Sequence, residues 1–128
     1  MKLPKGLLEL AREDGLTLFV APSVQSVQLD RSRAWRVLEH QDPLPDKATL
    51  RGWLLRGGAL FVGYAADEPA FAERFEALSQ VWGGRLPKAW VASRPGRIPD
   101  VVWQKWVWRG LWMFTASTDE VLDALEAA

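Results

Sequence analysis

The sequence predicts an α+β protein: a single compact domain over residues 1–128, with a mixed β-sheet, helices packed on it, and a C-terminal Trp-rich β-hairpin followed by a short helix. Three observations lead there. A continuous apolar run, LTLFVA at 16–21, and a wholly apolar one, ALFVGYA at 59–65, read as strands, the first as one buried on both faces. Segments with apolar residues three or four apart stand before and after these runs, as helices covering a sheet would. The stretch 100–117, DVVWQKWVWRGLWMFTAS, is dense in β-branched and aromatic residues and holds Arg109-Gly110 as a two-residue turn.

Leu3, Leu7, Leu10 and Ala11 fall at helical spacing, and Gly15 stands where a C′ glycine closes a helix. VQSVQL at 24–29 alternates, as an exposed strand or a loop arm does, and RSRAWRVLEH at 31–40 suits helix and strand alike. Pro43 and Pro45 make 41–46 a connection. Asp46 is an N-cap for a helix with Leu50, Trp53 and Leu54 on one side, ended by Gly57-Gly58. Asp67 caps a helix over 68–82 whose Phe71, Phe75, Leu78 and Trp82 form an apolar stripe; Gly83-Gly84 stop it. KAWVA at 88–92 reads as a strand and SRPGRIP at 93–99 as a turn-rich arm, and Thr118 and Asp119 start a last helix through Leu125. The strands at 16–21 and 59–65 are expected at the centre of the sheet, with the later ones forming a meander towards one edge.

Bulk composition narrows the function classes. Formal net charge is zero, so attraction to a polyanion has to come from local asymmetry. The absence of cysteine removes disulfides, thiol catalysis and thiolate metal sites. No run approaches the roughly 18 apolar residues of a membrane span, and the first residues do not read as a signal peptide, so the expected location is cytoplasmic. Eleven Arg against five Lys and no Asn suit a heat-adapted host, a thermophile.

Asymmetry is present. Residues 85–117 carry six Lys or Arg against the single acid Asp100, and five of the eight tryptophans fall between Trp90 and Trp112. In the hairpin reading, Gln104, Trp106, Trp108, Leu111, Met113 and Thr115 share a core face. Trp103, Lys105, Val107, Trp112, Phe114 and Ala116 share the other, where aromatics stack bases and cations neutralise phosphate. Lys88 and Trp90 extend that patch from the preceding strand, Arg94 and Arg97 close over it as surface charges that meet a ligand instead of an internal carboxylate, and Arg109 stands at the turn.

The expected function is a non-enzymatic nucleic-acid-binding module preferring single strands, through Lys88, Trp90, Arg94, Arg97, Trp103, Lys105, Arg109, Trp112 and Phe114. The competing reading is a small adaptor or regulatory protein using the same aromatic patch as a protein–protein interface, a second copy of itself included. Two alternatives for the segment remain open: helices cover the patch and make its tryptophans core, with Lys105 snorkelling at the edge, or Asp100 caps a helix over 101–109 with Gly110 at C′.

Other chemistry is thin. His40 has Glu39, Asp42 and Asp46 nearby, yet there is no second His and no ligand spacing, so neither a metal nor a cofactor is expected. Asp67-Glu68 follow a buried strand, where α/β sheets hold ligands, but two acids repel a phosphate and no glycine-rich cradle precedes them. A small enzyme built on these groups is the minor reading. A helix-turn-helix over 31–57 needs a connection longer than the usual three or four residues.

Overall fold

The computed structural model describes residues 1–24, 35–65, 68–84 and 88–128. Five strands, β1 (Leu16–Val20), β2 (Arg36–Glu39), β3 (Gly58–Val62), β4 (Ala89–Ser93) and β5 (Trp112–Thr115), form one sheet in the order β2-β1-β3-β4-β5. Every pairing is parallel, so the sheet is not mixed and the C-terminal strands form neither a hairpin nor a meander. The strands at 16–20 and 58–62 lie inside the sheet as expected, buried along their whole length.

Parallel neighbours need crossovers, and helices supply those from β2 to β3, from β3 to β4 and from β4 to β5. The helices are α1 (Lys5–Arg12), α2 (Lys47–Arg56), α3 (Pro69–Val81), α4 (Asp100–Trp108) and α5 (Thr118–Glu126). One core cluster joins Leu50 and Leu54 of α2, Phe71, Phe75 and Leu78 of α3 and Trp106 of α4 to Phe19 and Phe61 of the sheet. The other joins Leu7, Leu10 and Ala11 of α1 and Val121 and Leu125 of α5 to Leu18, Leu60 and Trp90. Successive side chains of a strand point to opposite faces, so these clusters are the two sides of one sheet: a three-layer α/β domain.

The hairpin expectation fails over 100–108. Val and Trp favour strands, but here tertiary packing overrides that preference. Helical spacing presents Trp106, with half-buried Val102 and Trp103, to the α2–α3 face. Gly110 takes φ +97° as the C′ residue, while the Gly110 and Leu111 N–H groups donate to the Val107 and Trp106 carbonyls at 3.0 and 3.1 Å. This is close to the helix alternative, although the helix starts at Asp100 itself, whose side chain makes no cap, and Pro99 holds the N-cap place.

Other boundaries are set by local chemistry. At the end of α1 the left-handed residue is Asp14, φ +57°, not Gly15. The Gly15 carbonyl lies where a Cβ on Gly57 would stand, so the close approach requires glycine at 57. Asp46 caps α2 as expected, accepting from the Thr49 N–H at 2.8 Å. The expected cap Asp67 and segment 25–29 lie outside the described residues, as does 31–34; the rest of 31–40 contains strand β2. Phe71, Phe75 and Leu78 are fully buried, and Trp82 is half-buried, under the Arg51 guanidinium at 5.4 Å. Gly83 and Gly84 end α3 with positive φ. Helix α5 starts at Thr118 as expected and is capped by Ser117, in a reciprocal box with Glu120.

Hydrogen bonds to the backbone hold the Asp46 and Glu120 carboxyls below their ordinary values of 3.8 and 4.5. A depressed folded-state pKa stabilises above the unfolded value, and that contribution is lost as pH falls through the folded one. Melting temperature is therefore expected to decline as pH drops below about 4.5. Asp46→Asn, which can still cap, is expected to flatten the decline; an unchanged acid limb in this variant refutes the assignment.

Candidate functional site

The nine expected site residues do not share one surface. Trp103 packs into the α2–α3 side of the sheet, whereas Phe114 packs into the α1–α5 side. Helical geometry also parts Trp106 from Trp108, two residues on and about 200° round the helix. Trp106 is buried, as the hairpin reading also required, but Trp108 is 82% exposed instead of buried. Gln104 and Thr115, expected on the core face, are exposed.

The cations divide as well. The Lys105 ammonium lies 5.2 Å from the Trp106 ring. Arg109 pairs with Glu76 on α3 and stands over Phe75 and Trp106 at 5.8 and 5.7 Å. Arg97 does meet an internal carboxylate, Glu68 at 3.5 Å, contrary to expectation; both side chains are partly exposed, so the pair contributes little to stability. Arg94 is exposed and has no ion pair among the described residues.

Three of the nine do meet, at the N-terminal ends of β4 and β5. The strand register sets Trp90 beside Trp112, with ring centroids 5.4 Å apart at 80°. Trp90 is 2% exposed and forms a wall; Trp112, on the edge strand, is 59% exposed. Lys88, exposed, precedes β4 and is fixed by its carbonyl, which accepts the Ala59 N–H at 3.0 Å. Together with Gly6, Glu9 and Leu10 of α1 and Glu13 at its C-cap they line a cleft of about 200 Å³. A Cβ on Gly6 would stand 3.2 Å from Trp90 Cζ2, so only glycine lets α1 approach this indole comfortably. Cζ2 belongs to the ring edge that carries Nε1, and the Nε1–H is buried without an acceptor among the described residues.

At the other end of the sheet, a crevice of about 380 Å³ opens among the loops that follow β1, β3, β4 and β5. Its lining includes Ser23, Gly63, Ser93, Thr118, Arg94 and Arg97. Sequence reading found the two arginines and missed the hydroxyl residues. The signal was a Ser, Thr or Gly shortly after each apolar run, which acquires meaning only once the strands are known to be parallel.

His40 lines a separate cavity with Asp42, Glu73 and Arg74. Asp42 accepts the Glu39 N–H at 3.1 Å, and Asp46 is spent on its cap. The buried Arg74 of α3 donates to the Glu39 and Asp42 carbonyls, each at 2.8 Å, and to that of His40, which fastens the loop. Among the described residues no group of three His, Asp or Glu side chains is placed to hold a metal ion, and no helix is long and apolar enough to cross a membrane. No protein-family model, curated protein or solved structure matches the chain.

Proposed function

We propose that this protein is a non-enzymatic module that binds single-stranded nucleic acid through the cleft between α1 and the β4–β5 edge. The observation that carries the reading is the exposed Trp112 indole beside Lys88, at the mouth of a cleft walled by Trp90. An unpaired base stacks on Trp112, since every base offers a π-face. Lys88 meets a flanking phosphate. Base edges have partners within: Glu9 and Glu13 accept from exocyclic amines, as carboxylates do in base readout. Phe114, two residues along β5, supports the stacking strand. Trp103, Lys105 and Arg109 belong to the opposite side of the sheet, and Arg94 and Arg97 to its other end, so the site is smaller than the nine-residue patch.

One observation favours a second reading, a protein interface. Val101 and Trp108 are both 82% exposed, and they stand seven residues apart on one stripe of α4. A partner seated there, or a second copy of the chain, buries α4 and leaves the cleft alone.

Substitution separates the two. Titration of a short unstructured oligonucleotide, followed by fluorescence anisotropy, is expected to show Trp112→Ala weakening binding roughly ten-fold, as loss of one stacked base does, with Trp108→Ala at wild-type affinity. Wild-type affinity in Trp112→Ala contradicts the cleft. If the oligonucleotide does not bind, and sedimentation shows self-association that Trp108→Ala abolishes, the interface reading replaces it.

A further inference from the structure

We propose that the crevice at the C-terminal ends of the strands is a second binding site, for a small phosphomonoester such as a sugar phosphate. This does not depend on the nucleic-acid reading. The strand order β2-β1-β3-β4-β5 of this parallel sheet reverses between β1 and β3. Ligands of such sheets sit at a reversal of that kind, outside the carboxyl ends of the strands.

The lining is suited to a phosphate. Ser23 follows β1, Ser93 ends β4 and Thr118 begins α5, so three different connections bring hydroxyl groups to one crevice. The Ser93 side chain is buried, and its Oγ has a distant partner, the Arg94 carbonyl at 3.4 Å. The turn after β4 is closed by the Arg97 N–H donating to the Arg94 carbonyl at 3.2 Å, with Gly96 at φ +71° allowing it, and sets both arginines on the rim. Gly63 leaves β3 at φ +82°, where a Cβ would come within 2.5 Å of Val24 Cγ2, so a side chain there closes the opening.

The acid of the crevice does not cancel its cations. Glu68 already accepts the Ala65 N–H at 3.3 Å and pairs with Arg97, which leaves Arg94 as the cation with no ion pair among the described residues. Asp119 and Glu120 in the first turn of α5 offset its helix dipole, so what α5 contributes to the crevice is the Thr118 hydroxyl. Hydroxyl and guanidinium donors from several directions match the tetrahedral oxygens of a phosphate better than a planar carboxylate. A volume of about 380 Å³ leaves room for the sugar beyond the phosphate.

The test is calorimetric titration of the full chain with ribose 5-phosphate, with ribose as control. Saturable one-site binding of the phosphate and none of ribose is expected. Arg94→Ala is expected to weaken it about ten-fold or more, and Thr118→Val, which removes a hydroxyl and keeps the shape, several-fold. Trp112→Ala is expected to leave it unchanged, which separates this site from the nucleic-acid cleft. Equal heats for the two sugars, or full affinity in both Arg94→Ala and Thr118→Val, overturn the proposal.

Discussion

Phe71→Ala is expected to destabilise the protein by about 3–5 kcal/mol, the cost of a large cavity in an aromatic core. Phe71 is fully buried on α3, and its ring touches four others: Phe61 and Trp106 edge-on at 5.0 and 5.1 Å, Tyr64 at 5.7 Å and Phe75 stacked at 5.9 Å. Those rings belong to β3, α4, α3 and the turn after β3, so one deletion loosens a whole side of the sheet. Each edge contact adds to the burial term, since ring edges are positive and faces negative. Thermal melting is expected to shift down by on the order of 10–20 °C. A shift of only a few degrees contradicts the packing described for α3 and α4.

Gly57→Ala is expected to be tolerated no better. A Cβ at Gly57 would stand 1.9 Å from the Gly15 carbonyl oxygen and 2.9 Å from its carbon. Both are backbone, and the same oxygen accepts the Gly58 N–H at 3.2 Å, so relief requires parting β1 from β3 where they begin. No side chain can swing aside. A loss of at least about 3 kcal/mol is expected, at the upper end of overpacking costs, with Gly52→Ala as a control where a Cβ meets nothing within 4 Å. Similar denaturant midpoints for the two variants refute the close approach.

What was legible in the sequence was whatever a local pattern decides. The runs at 16–21 and 59–65 have no polar residue but Thr17, which marks inner strands of a sheet covered on both sides. Phe71, Phe75 and Leu78 recur at helical spacing, and Asp46 announces a helix by a side chain that bonds three residues on. Residues 100–117 were not legible in the same way. Val101, Val102 and Val107 favour a strand, Trp103, Trp106 and Trp108 suit either state, and Arg109-Gly110 closes a hairpin as readily as it ends a helix. The deciding fact, Trp106 inserting among Phe71 and Phe75, is a tertiary contact.

That one reversal redistributed the candidate site. Alternation put Trp103, Lys105, Trp112 and Phe114 together, while a helix followed by a parallel strand sends them to opposite sides of the sheet. Lys88, Trp90 and Trp112 kept company because adjacent strands pair them, which does not depend on how residues 100–108 fold. Glu9 and Glu13 were invisible as partners, since nothing in the sequence of α1 says which edge of the sheet it covers. The crevice residues Ser23, Gly63, Ser93 and Thr118 are some 25 to 40 positions apart and converge only through strand order.

The most direct test of single-strand binding at the cleft is the salt dependence of oligonucleotide affinity. A cleft with one lysine and two carboxylates displaces few counterions, in contrast to a basic groove. Each neutralised phosphate contributes a slope of about −0.7 to log K against log salt on a single strand. Binding is expected to quench tryptophan fluorescence, with a shallow slope of roughly −0.7 to −1.4 that moves nearer zero in Lys88→Ala. Absence of quenching at low salt, or a steep slope that Lys88→Ala leaves unchanged, would contradict single-strand binding at the cleft.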